Sequence, residues 1–209
     1  IFNNITERHT TACEGEIKTY SVNYDPDATY NWGIENGTIL TTPLDTSKVE
    51  VQWNMGITQG VLIATITTTN ILGNTCESSV VDTVTISAIP LPEFDNPVTN
   101  VCSNNEVIYT LTNTYTSYAW TVTGGVITGG GTSGVNWVKV RWGTGATGKV
   151  SVIVQNASSC SNTASVDVTI YNLQGNLVSK TDVSCNGLSD GSVIVEATTG
   201  TGLPPYQYS

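Results

Sequence analysis

The chain contains one sequence pattern twice. The first copy is VEVQWNMGITQGVLI (49–63), and the second is VKVRWGTGATGKVSV (138–152). Four rare residues recur in the same order at separations of 89, 88, 89 and 84 positions: Cys13 and Cys102, Trp32 and Trp120, Trp53 and Trp142, and Cys76 and Cys160. A nearly constant offset over several rare residues indicates tandem structural repeats. The sequence therefore predicts two similar domains, 1–88 and 89–171, followed by a third segment, 172–209.

Each repeat alternates apolar and polar residues. In VEVQW (49–53) the valines and the tryptophan fall on one face of a strand, with Glu50 and Gln52 on the other, and VKVRW (138–142) repeats this arrangement. A strand with one buried and one solvated face is typical of a β-sandwich. No stretch shows the apolar spacing and cap of a helix. We therefore predict an all-β protein made of two tandem immunoglobulin-like β-sandwiches, each with about seven strands, plus a partial third β module.

The tryptophans occupy matched positions with apolar neighbours two residues away. This spacing predicts that they pack inside the sandwiches, and the alternative is a set of exposed aromatic rings that stack on sugars. The predicted core tryptophans are Trp32, Trp53, Trp120 and Trp142.

Gly143–Lys149 fits the first seven positions of the phosphate-binding pattern GxxxxGK[ST]. That pattern needs a hydroxyl after the lysine to hold magnesium, and it needs a helix whose N–H groups face the phosphate. Val150 stands in place of the hydroxyl, and residues 150–155 alternate as a strand does. We therefore interpret the segment as a glycine-rich turn between two strands.

Charge and composition exclude several classes of function. The net charge is −10, with 7 Lys and Arg against 17 Asp and Glu, so neither nucleic acid nor an anionic membrane surface is an expected partner. No apolar run is long enough to insert into a membrane. With one histidine, no nucleophile motif and no paired carboxylates, we predict no enzyme activity, no catalytic residue and no cofactor.

Calcium is the one small ligand that the sequence brings into consideration. Asp25 and Asp27 flank a proline, and Asp190 lies in an Asp-Gly turn. Hard cations need several oxygens from one compact loop, whereas acids beside proline or glycine more often form turns. We therefore predict no metal site, with calcium as the open alternative.

Five cysteines in a β protein indicate an oxidising compartment. Because the first four hold matched places in the repeats, we predict one disulfide in each repeat, Cys13–Cys76 and Cys102–Cys160. A zinc site is not expected, since the chain has no CxxC pair and its single histidine, His9, lies in the N-terminal segment. The segment 88–99 between the repeats contains three prolines, which predicts a stiff connection and an extended arrangement of the two domains.

Residues 1–171 resemble the PKD-like and immunoglobulin-like domains of secreted Bacteroidota proteins. The shared features are a Cys before the first long strand, Tyr-x-Trp in the middle, and Val-x-Val-x-Trp before a glycine-rich turn. The tail DVSCNGLSDGSVIVEATTGTGLPPYQYS (182–209) resembles the first two-thirds of the SprB repeat of flavobacterial gliding-motility adhesins. The residues that match that repeat are Cys185, Gly187, Asp190, Gly191, Ser192, Pro205, Tyr206, Tyr208 and Ser209. Thr199-Gly200 stands where the repeat usually has Gly-Gly.

The resemblance implies that Cys185 is unpaired in this fragment, because the partner cysteine of the repeat lies further along; the alternative is a free buried thiol. It implies a non-catalytic structural or adhesive segment of a large secreted cell-surface protein, exported by type IX secretion and associated with the outer membrane. Its partners would be other domains of the same chain, surface polysaccharide or other surface proteins. The alternative is an accessory carbohydrate-binding or spacer module of a secreted polysaccharide-degrading enzyme, in which exposed Tyr115 or Tyr118 would contact sugar.

Overall fold

A computed structural model describes residues 5–41, 46–198 and 202, and every regular element in them is a β-strand. The all-β prediction is confirmed. Within those ranges there is no apolar helix of membrane-spanning length. The chain divides into two compact units, Ile1–Pro90 with Ser158–Cys160, and Leu91–Ala157 with Ser161–Ser209.

The first unit is a sandwich of two four-stranded sheets. Its strands are β1 (Ile5–Glu7), β2 (Thr11–Cys13), β3 (Ile17–Val22), β4 (Ala28–Glu35), β5 (Gly37–Thr41), β6 (Lys48–Trp53), β7 (Gln59–Thr69) and β8 (Thr75–Ser87). One sheet has the order β1-β3-β6-β5, and the other has the order β2-β8-β7-β4. Neighbouring strands are antiparallel except β2 and β8, which are parallel.

The second unit repeats this architecture and adds a hairpin. Its strands are β9 (Asn100–Cys102), β10 (Glu106–Thr110), β11 (Ser117–Thr123), β12 (Gly125–Gly130), β13 (Trp137–Trp142), β14 (Thr147–Gln155), β15 (Ser161–Tyr171), β16 (Gly175–Thr181) and β17 (Ser192–Ala197). The sheets are β10-β13-β12 and β11-β14-β15-β9, with β16-β17 as a separate two-stranded sheet. The parallel pair is β9 with β15, which corresponds to β2 with β8 in the first unit.

The internal repeat extends to details of strand pairing. The pairing of Ile5 with Val22 returns 89 residues later as an isolated bridge between Phe94 and Leu111. The edge strands β5 and β12 both contain a register shift against their partners. The tandem repeat is therefore structural as well as sequential. The predicted boundary at 171/172 stays a prediction, because β16 and β17 fall in the same compact unit as the second sandwich.

The predicted alternation places one apolar face of each strand in a core. In β6, Val49, Val51 and Trp53 are at most 1% exposed, and Gln52 faces solvent. The strand β13 follows the same pattern with its valines and Trp142. Burying a large apolar side chain stabilises a fold by about 1.5–3 kcal/mol, so these strands hold the two sheets of each sandwich together.

The four tryptophans differ in depth. Trp53 and Trp142 are fully buried at the centres of the two cores. Trp32 and Trp120 are half-buried and pack against the margins of those cores. Their indole N–H groups donate to main-chain carbonyls, at 2.9 Å for Trp32 and 3.2 Å for Trp120. All four tryptophans pack against a core, but only Trp53 and Trp142 lie at its centre.

The disulfides of the structure differ from the predicted pairs. Cys13 lies opposite Ser87, at the end of β8, whereas Cys76 lies eleven residues earlier in that strand. At about 3.3 Å per residue this separation is roughly 35 Å, and a disulfide needs Cα atoms within about 7 Å. Cys102 and Cys160 stand in the same relationship along β15, so neither predicted bond forms. Instead, Cys13 is bonded to Cys160.

The turn predicted in the segment Gly143–Lys149 is present and comprises residues 143–146. It connects β13 to β14, which begins at Thr147, and no helix follows it. The Lys149 ammonium group lies 3.2 Å from a carboxylate oxygen of Asp167 on the neighbouring strand. The motif therefore belongs to an ordinary strand connection.

Candidate functional site

The candidate site is the disulfide between Cys13, at the end of β2, and Cys160, just before β15. Cys13 and Cys160 have Cα atoms 5.7 Å apart and are 147 residues apart in sequence. Although Cys160 belongs to the second repeat in sequence, the short segment Ser158–Cys160 is part of the first compact unit. Cys160 is 1% exposed, and its Sγ lies 3.7 Å from the carbonyl oxygen of Ser87.

The turn after Cys13 is held by the carboxylate of Glu16. One of its oxygens accepts the Cys13 N–H at 2.8 Å, and the other lies 2.7 Å from the Lys18 ammonium group. Burial by itself would raise the pKa of the Glu16 carboxyl, but the hydrogen bonds from Lys18 and Cys13 outweigh it and lower the pKa. The turn is therefore stable as long as Glu16 is ionised.

The same backbone arrangement surrounds Cys102 at the end of β9. Ser103 N–H donates to the Tyr171 carbonyl at 2.8 Å, as Glu14 N–H donates to the Ser87 carbonyl at 3.0 Å. The next residues, Asn104 and Gly15, have φ of +64° and +71°, and each donates its N–H at 2.9 Å to the carbonyl of the central tryptophan of its repeat, Trp142 and Trp53. The turns that follow the two cysteines are therefore equivalent in their main-chain hydrogen bonds.

Cys102 differs from Cys13 because its thiol is free and exposed. It lines an open cavity of about 200 Å³ whose other walls include Val98, Val101, Val107 and Tyr171. In the first repeat the equivalent of Tyr171 is Ser87, and its carbonyl is the group that Cys160 contacts. The surface that receives Cys160 in the first repeat thus has an open counterpart in the second.

The second cysteine of the first repeat, Cys76, is also free and exposed. It lies near the tip of the β7–β8 hairpin, where it pairs with Thr68. At this tip the side chains of Ile71 and Leu72 are 103% and 80% exposed. The tip of this hairpin therefore presents two aliphatic side chains and a thiol to solvent.

The remaining thiol, Cys185, is exposed in the connection between β16 and β17. That connection is closed by Asp190, whose carboxylate accepts the Ser184 N–H at 3.0 Å and the Ser184 hydroxyl at 2.5 Å. These hydrogen bonds lower the pKa of the Asp190 carboxyl. Asp190 therefore serves the turn, and the free buried thiol considered as an alternative for Cys185 is wrong. The matching residues Pro205, Tyr206, Tyr208 and Ser209 lie outside the described residues.

The acids considered as alternative calcium ligands also serve turns. The carboxylate of Asp25 accepts the N–H of Asp27 at 3.0 Å, a local bond typical of a turn around proline. Among the described residues, no three His, Cys, Asp or Glu side chains come close enough to hold a metal ion.

One of the two tyrosines proposed to contact sugar is unsuitable. Tyr118 is 6% exposed because it lies on the inner face of β11, and its hydroxyl accepts the Tyr115 N–H at 2.6 Å. Tyr115 is half-buried, and its hydroxyl donates to the Leu91 carbonyl at 2.8 Å. The prediction that Tyr118 is exposed is wrong, since its position follows the inward alternation of the strand.

Sequence reasoning also missed an ion pair in the first unit. Asp82 is 2% exposed on β8, and its Oδ1 lies 2.7 Å from a guanidinium nitrogen of Arg8 and accepts the Arg8 Nε–H at 2.9 Å. The hydrogen bond and the charge of Asp82 raise the pKa of Arg8. The signal was available in the alternation, because Asp82 occupies an inward position between Val80 and Val84. His9 nearby packs edge-on against Tyr20 at 5.4 Å.

The strand order and the repeat define a protein of tandem immunoglobulin-like β-sandwiches. Family models identify the modules further: residues 95–170 match the PKD-like domain, and residues 177–209 match the SprB repeat. The predicted order, a PKD-like domain and then a SprB-type repeat, is confirmed. Both families are non-catalytic structural or adhesion modules, and the SprB repeat indicates an extracellular surface protein. No curated protein matches the chain in sequence.

Several solved structures are similar over most of the chain. The Ig1–Ig2 pair of Dpr2, solved in complex with DIP-Theta, has 12% identity, covers 79% of this chain and 95% of its own, and gives a TM-score of 0.42. The fibronectin(III)-like modules of Clostridium thermocellum CbhA have 15% identity, coverages of 80% and 92%, and a TM-score of 0.36. The insect immune protein hemolin has 13% identity, coverages of 82% and 46%, and a TM-score of 0.35, so this chain spans less than half of hemolin.

Proposed function

We propose that the chain is a non-catalytic structural and adhesive segment of a large secreted cell-surface protein, a stalk or filament of the kind found in gliding-motility adhesins. The observation that carries this proposal is the succession of a PKD-like domain and a SprB repeat within one chain. The proposal places the protein outside the cell, associated with the outer membrane of a Bacteroidota bacterium after type IX secretion.

The physical character of the modules supports this role. Each sandwich has a continuous apolar core between two sheets, and β6 carries a polar outer face. The disulfide between Cys13 and Cys160 suits an oxidising environment. The net charge of −10 opposes non-specific binding to anionic surfaces and keeps the long chain soluble. These are properties of a durable spacer that displays its surface to other molecules.

The location is tested by labelling intact cells. An antibody raised against residues 1–209 should stain unpermeabilised cells of the source bacterium, and external protease should remove the stain. An antibody against a periplasmic protein is the control, since it should stain only permeabilised cells. Staining that requires permeabilisation would exclude a cell-surface location.

The adhesive role needs a second measurement. Cells in which the region encoding residues 1–209 is deleted in frame should attach less to a surface, while the amount of the remaining protein on the cell stays unchanged. If attachment is unaffected and the secreted fraction instead loses polysaccharide-degrading activity, the accessory module of an enzyme becomes the correct reading.

A further inference from the structure

The disulfide joins two cysteines that hold different positions in the two successive repeats. Cys13 is the first cysteine of its repeat, and Cys160 is the second cysteine of the next. Two of the free cysteines hold the remaining positions. Cys102 is the first cysteine of the second repeat, and Cys76 is the second cysteine of the first repeat. We propose that Cys102 and Cys76 are the two halves of the same type of bond, so that Cys102 of one copy is joined to Cys76 of a second copy.

The receiving side is already built around Cys102. The hydrogen bonds that shape the turn after Cys13 recur after Cys102 with nearly the same lengths. The cavity of about 200 Å³ beside the thiol has largely aliphatic walls, formed by Val98, Val101 and Val107. A turn that holds a bonded cysteine in one repeat therefore holds a free, accessible one in the other.

The inserting side is the tip of the β7–β8 hairpin. Cys76 is exposed there, and Ile71 and Leu72 present aliphatic side chains that no group of their own unit covers. Placing such side chains against an apolar cavity removes both surfaces from water, which favours association. The occupant that fits the Cys102 cavity is thus the hairpin tip of another repeat of this kind.

Bond formation needs an oxidant. The two thiols lose two protons and two electrons as their sulfurs join. A small disulfide such as oxidised glutathione accepts these protons and electrons and becomes two thiols. Because the two halves of the bond are different surfaces, each copy can bond a further copy at either side, so the assembly either closes into a ring or extends as a filament. The link goes beyond the proposed surface role and is tested on purified protein, so a failure of either leaves the other standing.

The test mixes two variants that each retain one half of the bond. Both carry Cys185→Ser; one adds Cys76→Ser and keeps Cys102, and the other adds Cys102→Ser and keeps Cys76. In a buffer of reduced and oxidised glutathione, the mixture should form a covalent dimer about tenfold more abundant than either variant forms alone. Non-reducing electrophoresis measures the dimer, and mass spectrometry of its peptides should show Cys102 linked to Cys76.

A second comparison separates docking from thiol chemistry. Ile71→Asp with Leu72→Asp, introduced into the variant that keeps Cys76, should reduce the mixed dimer several-fold while labelling of Cys76 by a small thiol reagent is unchanged. Ile108→Asp is the matched control, since Ile108 is 57% exposed on β10, far from this hairpin in the chain. The proposal would be overturned if the mixed dimer were no more abundant than the dimers of each variant alone, or if only glutathione adducts formed. A Cys102–Cys185 bond in the unmodified chain would also overturn it.

Discussion

Gly148 lies directly under the indole ring of Trp142. A Cβ atom at this glycine would stand 2.2 Å from Cζ3 of the ring and 2.9 Å from the Thr123 carbonyl oxygen. The first repeat has the same arrangement, because a Cβ at Gly60 would stand 2.0 Å from Cζ3 of Trp53. The glycine that makes the second repeat look like a phosphate-binding loop is therefore required by packing against the central tryptophan.

Replacing this glycine should weaken the second sandwich. We expect Gly148→Ala to lower the free energy of unfolding by about 1–3 kcal/mol, because the added methyl group has to displace a buried ring. Gly145→Ala is the matched control, since its Cβ would have no neighbour nearer than 3.9 Å and should change stability little. Denaturant unfolding of both variants measures the difference, and equal stabilities would contradict the packing explanation.

The central tryptophan of the first repeat is hydrogen-bonded inside its core. The Trp53 N–H donates to the Tyr20 hydroxyl at 3.2 Å, and both side chains are fully buried. Tyr20→Phe would leave that buried N–H without an acceptor, at a cost of about 1–3 kcal/mol at neutral pH. Tyr24→Phe is a suitable control, because Tyr24 is 65% exposed. Thermal unfolding monitored by tryptophan fluorescence tests the prediction.

Stability at alkaline pH should depend on the same tyrosine. Burial, opposed in part by the Trp53 hydrogen bond, raises the pKa of Tyr20 to about 12. The unfolded chain loses this proton near the ordinary tyrosine pKa of about 10. The contribution of the neutral Tyr20 hydroxyl to the free energy of unfolding is therefore complete below that pH. It is lost as pH rises through about 12, which should remove up to about 2 kcal/mol of stability.

Unfolding measured from pH 9 to 12 tests this dependence. Other tyrosines and the lysines also titrate in this range, so the informative quantity is the difference from the Tyr20→Phe variant. That variant should lose less stability over the interval. Parallel curves for the two proteins would show that Tyr20 does not titrate with a raised pKa.

The cysteines should fall into two classes in stability measurements. Replacing Cys13 and Cys160 together by serine removes a bond between residues 147 apart, which should cost about 2–5 kcal/mol. Replacing Cys76 and Cys102 together should change stability by less than about 0.5 kcal/mol, because both are exposed and free. If the second pair proved the costlier one, the pairing described here would be wrong.

Much of the architecture follows from local sequence. Alternation of apolar and polar residues determines which face of a strand is buried, so the valines of VEVQW and VKVRW identified the inner faces of β6 and β13 without a structure. The repeat then transferred every assignment from one sandwich to the other. The same local logic identified Gly143–Lys149 as a turn, since the residues after it alternate as a strand.

Only the tertiary structure determines which distant parts of the chain meet. The matched cysteines suggested one bond inside each repeat. In the structure β2 pairs with the end of β8, and β9 pairs with the end of β15, so the two cysteines of each repeat lie a strand length apart. The reason that Gly148 is a glycine likewise depends on a ring that folds over it. Periodicity in the sequence reports which side of a strand faces the core, whereas which side chains meet across the core depends on the register and length of strands that the sequence does not state.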